Sequence, residues 1–240
     1  MTPSNILIVG ASGDIGSAIC RELAGKGYNL FLQFHANSRI IKQLEEDIAK
    51  AQWLGAMQAD LATPAGIHQF LDQLNIHLDG VVFAGGRALT GMFQDMTEKD
   101  MDDLYHLHVK TPWMITKHLL PSMIRHRYGR ILVISSIWGD VGASMEVLYS
   151  SVKGAQNSFV KALAKETARS GVVVNGVSPG FIDTKMNLEL DDEERALLFD
   201  DIPTGRPGTP EEVAKVVGFL MSEDASYING EIIKINGAWS

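Results

Sequence analysis

A short apolar run, Ile6-Leu7-Ile8-Val9, passes directly into Gly10-Ala11-Ser12-Gly13-Asp14-Ile15-Gly16, and this junction restricts the fold more than any other stretch of the chain. Four consecutive apolar residues bounded by a turn signal read as a buried strand. The residues after the glycines read as a helix reaching about Gly27, with Gly25 and Gly27 as stop signals. Strand, glycine turn and helix in that order make the first part of a parallel crossover unit. Glycines let the backbone come close to a pyrophosphate, and the helix N-terminus offers unpaired N–H groups at its positive dipole end. An ordinary tight turn is the competing reading of the glycines alone. The strand before and the helix after favour a nucleotide site built on Gly10, Ser12, Gly13, Asp14, Ile15 and Gly16.

The alternation continues. Apolar runs at 30–34, 56–59, 80–84, 130–134, 172–177 and 231–235 read as further strands, separated by helical stretches that include 40–51, 97–127 and 148–169. In the stretch 97–127 a break is expected near Thr111-Pro112. Thr209-Pro210-Glu211-Glu212 carries the N-cap, first-turn proline and acids that open a helix to about 222. Seven alternating units predict a single-domain Rossmann fold of class α/β, a doubly wound parallel seven-stranded sheet flanked by helices. With 240 residues, 45% of them hydrophobic, one such domain over 1–240 has enough apolar surface for a core. The cofactor-binding half is expected over about 1–128 and the catalytic and substrate part over 129–240. Within the latter, 183–205, with its acidic run 189–194, is expected to form a lid that excludes water.

Several function classes are disfavoured at this level. A formal charge of −8 without a basic run gives no long-range attraction to nucleic acid or to an anionic membrane. Cys20 is the sole cysteine, so no intrachain disulfide can form and a reducing, cytoplasmic setting is expected. No secretory signal is visible at the N-terminus, and no apolar stretch reaches the ~20 residues of a spanning helix. His106 and His108 are two apart and face differently on a helix, so no metal site is expected.

The ends of the strands carry the candidate ligands. After the second strand, His35, Asn37, Ser38 and Arg39 stand where a dinucleotide fold often holds an acidic residue on the adenosine ribose. Donors without a carboxylate favour NADPH over NADH. Arg39 otherwise merely begins a solvated helix face with Lys42, Glu45, Glu46 and Lys50. Asp60 and Leu61 end the third strand, where Asp60 either accepts from an adenine amino group or caps the helix starting near Pro64. Ala84, Gly85 and Gly86 follow the fourth strand, and Pro179, Gly180, Ile182 and Thr184 follow the sixth, near the nicotinamide position. Ser136 closes the fifth strand. A helix over 148–169 puts Tyr149 and Lys153 on one face, one turn apart. There a carbonyl could meet Ser136 as orienting donor and Tyr149 as proton donor, with the Lys153 ammonium expected to draw the phenol's pKa down toward neutrality.

These residues together resemble the short-chain dehydrogenase/reductase family over essentially the whole chain, most closely its bacterial 3-oxoacyl-acyl-carrier-protein reductase branch. The resemblance rests on Gly10 to Gly16, Ser136, Tyr149 with Lys153, and Ser178-Pro179-Gly180 with Thr184. It implies that Tyr149 protonates the alkoxide as hydride arrives, that Lys153 also binds the nicotinamide ribose, and that Ser136 orients the carbonyl. It further implies a homotetramer built on the helices from about Asp100 and Leu148. The substrate implied is a small-molecule ketone or a carrier-bound acyl group, with Arg125, Arg127 and Arg130 expected near the mouth to attract an acidic carrier.

Three departures stand out. Asp14 replaces the loop's usual middle glycine, Gly13 stands where many NADPH users carry arginine, and Phe83-Ala84-Gly85-Gly86 lacks the family's side-chain amides. His108 falls on the family's helix asparagine, which holds a water in the proton relay, and a ring nitrogen could do the same. Gly142-Ala143-Ser144-Met145-Glu146-Val147 resembles a subgroup that reduces an aminoketone on modified elongation factor P, where Glu146 would meet the cation; a solvated loop carboxylate is the other reading. A catalytically idle dinucleotide-binding scaffold is the alternative from a different class.

Overall fold

The computed structural model describes residues 4–185 and 192–239. Seven strands form one parallel sheet: β1 (Asn5–Val9), β2 (Asn29–Phe34), β3 (Trp53–Gln58), β4 (Gly80–Phe83), β5 (Gly129–Ile134), β6 (Val172–Pro179) and β7 (Ile232–Ile235). Their order across the sheet is β3-β2-β1-β4-β5-β6-β7. The order reverses between β1 and β4, and an open sheet binds its ligands in the crevice at such a point. Every residue of β5 and of β6 is buried, as a strand covered on both faces requires.

Helices cover both faces. On one side lie α1 (Asp14–Gly25), α2 (Ser38–Asp47) and α9 (Pro210–Leu220), whose Ile19, Leu23, Leu44 and Val217 pack with Ile8 and Leu132. On the other lie α3 (Pro64–Gln73), α5 (Thr111–His126) and α7 (Val147–Thr167), whose Phe70, Ile115 and Val160 pack with Leu7 and Val133. Three further α-helices are α4 (Glu98–Tyr105), α6 (Trp138–Val141) and α8 (Asp192–Asp201). No helix among the described residues is long and apolar enough to cross a membrane.

Helix starts follow local chemistry. Thr97 and Thr209 each form a capping box, with Asp100 and Glu212 reaching back to the cap residue's N–H. Thr63, rather than Asp60, caps α3 by accepting from Gly66 N–H at 3.1 Å. Asp60 instead turns its carboxylate onto Ala62 N–H. Two expected boundaries move. α2 stops at Asp47 because Ile48 is already extended, leaving Lys50 outside the helix, and β3 begins at Trp53 because Leu30 pairs with it across the sheet edge. The stretch 97–127 is not broken at Thr111-Pro112. It runs from α4 through a π-helical turn (His106–Lys110) into α5, where Pro112 sits in the first turn and needs no N–H.

The junction after β1 is sterically exacting. Gly10 has φ +77°, and a Cβ there would lie 2.3 Å from the Gly85 Cα, while one at Gly16 would lie 2.2 Å from the Gly10 carbonyl oxygen. Gly16→Ala is therefore expected to destabilise the fold by about 2–4 kcal/mol through forced backbone displacement. Gly25, in open space at the end of α1, should gain about 0.5–1 kcal/mol on substitution by Ala. Urea denaturation of the two variants reads both signs.

Candidate active site

The carboxyl ends of six strands converge on the crevice beside the β1/β4 switch. The turn from Gly10 to Gly16 leads into α1, whose N-cap Gly13 supplies no side-chain hydrogen bond, leaving the helix N–H groups for another acceptor. Gly10, Gly16 and Gly85 approach without side chains, so the cradle has the shape and donor chemistry that a pyrophosphate needs. His35, Asn37, Ser38 and Arg39 are exposed after β2 with no carboxylate among them, and Asn37 caps α2. Asp60 and buried Leu61 follow β3, and Ala84, Gly85 and Gly86 follow β4. Pro179 ends β6, followed by Gly180, buried Ile182 and Thr184. The Asp14 carboxylate accepts the Lys185 N–H at 2.8 Å, tying the glycine turn to the start of 183–205. Residues 186–191, which include Glu189 and Asp191 of the expected acidic run, lie outside the described residues, and Asp192, Glu193 and Glu194 open α8.

Ser136, Tyr149 and Lys153 meet as expected from their spacing. The Ser136 hydroxyl accepts the Trp138 N–H at 3.2 Å and stands near enough to the Tyr149 phenol to favour its ionised form. Lys153 is buried, donates from Nζ to the Ile134 carbonyl at 2.8 Å, and stands 5.4 Å from the Tyr149 ring centre. The expected downward shift of the phenol does not occur. Burial drives the Tyr149 pKa up, the Glu146 charge adds to the rise, and only the Ser136 hydroxyl opposes it. The same desolvation lowers Lys153 to about 7, and the causes acting on the phenol include no offsetting charge from Lys153. Glu146, half-buried just before α7, has its own carboxyl raised by burial.

His108 lies in the π-helical turn and is fully buried. Its Nε2 is 3.0 Å from the Arg87 carbonyl oxygen and 3.4 Å from the Arg87 nitrogen, so the shorter contact makes Nε2 the protonated donor and leaves Nδ1 bare. The ring stands edge-on to Tyr149 at 5.6 Å, and a Cβ at position 86 would meet it at 2.8 Å. Burial, with the charge of Lys153, lowers its pKa to about 3, so it is neutral at physiological pH.

Several site residues were not found from the sequence. Gln33, buried in β2, takes over bracing where side-chain amides are missing after β4: its Oε1 accepts the Gly10 N–H at 3.0 Å and its Nε2 donates to the Ala59 carbonyl at 2.8 Å. Its signal was a single amide inside an apolar strand. Asn157, one turn beyond Lys153, links Ser135 to Asp140, and Gln156 donates to the His108 carbonyl at 2.7 Å. The basic residues expected at the mouth are elsewhere. Arg125 and Arg127 lie at the end of α5, and Arg130 is only 4% exposed at the start of β5, pairing with Glu223 at the sheet edge opposite Ser136.

Because Lys153 titrates near 7 in the fold and near ~10.4 when unfolded, the buried amine opposes folding fully below its folded pKa. The opposition fades as pH rises from the folded toward the unfolded value and is gone above it. Lys153→Met should therefore be more stable than the parent at pH 7 by about 1–3 kcal/mol, with the gap narrowing toward pH 10 in paired urea titrations.

A family model described as enoyl-(acyl carrier protein) reductase matches residues 10–240. An uncharacterized oxidoreductase of Bacillus subtilis, YmfI, is 44% identical over 235 residues, covering 97% of each chain. The 3-oxoacyl-[acyl-carrier-protein] reductase FabG of Aquifex aeolicus is 36% identical over 236 residues, covering 96% of this chain and 95% of the relative. Among solved structures, a putative NAD(P)-dependent gluconate 5-dehydrogenase of Beutenbergia cavernae with bound NADP superposes with TM-score 0.92 at 27% identity, covering 100% and 97% of the two chains. A blue fluorescent protein from a metagenomic library, in complex with NADPH, gives TM-score 0.88 at 27% identity, covering 99% and 98%. The chain belongs to the short-chain dehydrogenase/reductase family of NAD(P)-dependent oxidoreductases.

Proposed function

We propose that this chain reduces a ketone to a secondary alcohol with NADPH, using Ser136, Tyr149 and Lys153. The observation that carries the reading is the meeting of these three side chains beyond β5, beside a glycine cradle. The NADP and NADPH bound by the two structural relatives, and the donors after β2 without a carboxylate, support NADPH as the cofactor. The bound cofactor supplies a hydride. The glycine turn and the N-terminus of α1 would hold its pyrophosphate, while His35 to Arg39 would face the adenosine end and Pro179 to Thr184 the nicotinamide end.

Within the chain, Ser136 donates to the ketone oxygen and Tyr149 gives up its phenolic proton as that oxygen becomes an alkoxide. Burial suits Tyr149 to this direction: a phenol held well above its usual pKa arrives protonated at neutral pH. Lys153, near pH 7 in its titration, returns a proton to the phenolate. Neutral His108 offers only Nδ1 as an acceptor in this relay, where an asparagine would offer both donor and acceptor.

The FabG relatives support a 3-oxoacyl thioester as substrate. A second reading, an aminoketone on modified elongation factor P, is favoured by Glu146, a half-buried carboxylate close enough to raise the Tyr149 pKa. Purified enzyme with NADPH should reduce acetoacetyl thioesters or aminoketones, and Tyr149→Phe should lose about 100-fold or more of the rate. Cofactor binding without turnover on either substrate class would leave an idle scaffold and sink the proposal. Glu146→Gln should leave the neutral-pH rate on an acetoacetyl thioester within about twofold, since Tyr149 is protonated there with or without the Glu146 charge. It should weaken an aminoketone selectively if the second reading holds.

The assembly proposed is a homotetramer. Support comes from an apolar groove between α5 and α7 lined by Trp113, Leu120, Ile124, Phe159 and Leu163, in which Trp113 and Ile124 remain 42% exposed. Trp113→Glu should yield a smaller species in sedimentation velocity, and an unchanged tetramer would place the interface elsewhere.

A further inference from the structure

We infer that Trp239 is a positioning residue that couples helix α8 to the Ser136 turn through two separable contacts. The consequence for turnover rests on the proposed reductase site; the coupling itself rests on geometry alone.

The first contact runs through a ring. Trp138 follows Ser136 by two residues, and its N–H donates to the Ser136 Oγ at 3.2 Å. Any rotation of the Trp138 backbone therefore redirects the serine hydroxyl. The Trp138 ring meets the Trp239 ring at 5.2 Å and 69°, an edge-on pairing that favours one relative orientation. Trp239 thereby restrains the turn that aims Ser136.

The second contact runs through a hydrogen bond. The Trp239 indole N–H donates to Asp201 Oδ2 at 3.2 Å, and Asp201 is the last residue of α8. Beyond that helix, Gly237 is wedged so closely that a Cβ would lie 2.4 Å from Thr204 Oγ1. Ala238 adopts φ +67°, a left-handed conformation that alanine keeps only when its surroundings dictate it. The Asn236 side chain closes the same turn on the Trp239 carbonyl. The turn 236–239 is thus held in one strained shape that presents a ring to Trp138 and an N–H to α8.

These two contacts serve different kinetic quantities. The ring acts on Ser136, which meets the reacting oxygen and so enters the rate constant. The N–H fixes α8, whose Phe199 ring meets Phe181 at 6.1 Å between Gly180 and Ile182 after β6, and so enters ketone binding.

Trp239→Phe keeps a ring and loses the N–H, Asp201→Ala loses the same bond from the other side, and Trp239→Ala loses both contacts. Trp239→Phe and Asp201→Ala are each expected to raise the ketone KM about tenfold with kcat within about twofold, and the double variant should add little further. Trp239→Ala should in addition lower kcat about tenfold, with NADPH affinity unchanged in all three. Amide exchange in α8 should quicken in each variant relative to the parent, and the near-UV circular dichroism of the paired indoles should persist in Asp201→Ala. Equal changes in kcat, KM and melting temperature across the three variants would reduce Trp239 to a structural residue and overturn the inference. So would unaltered α8 exchange in Trp239→Phe and Asp201→Ala. A parent enzyme without ketone turnover would defeat the proposed function, while the exchange and dichroism measurements would still decide the coupling.

Discussion

The close passage of Gly10 beside Gly85 is the constraint on which the site depends. β1 and β4 are neighbours in the sheet, yet their following segments diverge to opposite faces, and the crevice opens where they part. Only a backbone without Cβ can cross there at the observed separation. Gln33 secures the crossing from β2 by accepting the Gly10 N–H while donating to the Ala59 carbonyl. Three strand ends are thereby fixed relative to one another before any ligand is considered, and the remaining strands add their residues to an edge already defined.

Desolvation then sets the chemistry along that edge. Tyr149, Lys153 and His108 all sit where water is excluded, and each is pushed toward its neutral form: the phenol upward, the amine to about 7, the imidazole to about 3. A site of neutral groups in close contact is poised to pass protons, since no member begins as a strongly solvated ion. The cost is borne by the fold. Lys153 has a hydrogen bond to the Ile134 carbonyl to compensate part of its burial, and the extended packing of β5 and β6 supplies the rest.

Substitutions that look like losses in the sequence are offset in three dimensions. The amides missing after β4 are offset by Gln33 on β2, and the Gly86 position, free of a side chain, makes room for the larger His108 ring. Asp14, in place of a loop glycine, reaches the Lys185 N–H and fastens the cofactor turn to the segment after β6. None of these pairs is close in sequence, so none could be recognised without the fold.

The sequence by itself determined the strand and helix order, the parallel sheet, the glycine cradle and the placing of Tyr149 and Lys153 on one face of α7. These follow from local rules: apolar runs make buried strands, glycine permits close backbone approach, and a spacing of four places side chains on one helix face. The π-helical turn at His106–Lys110 escaped such rules because its extra residue is stabilised by packing, including the bond from Gln156 to the His108 carbonyl. Likewise, only the tertiary structure decided that Arg130 is buried at the far edge, that burial rather than Lys153 governs the Tyr149 pKa, and that Trp239 reaches Trp138. Each of those outcomes depends on solvent exclusion or on contacts between distant segments, quantities that a linear order of residues does not contain.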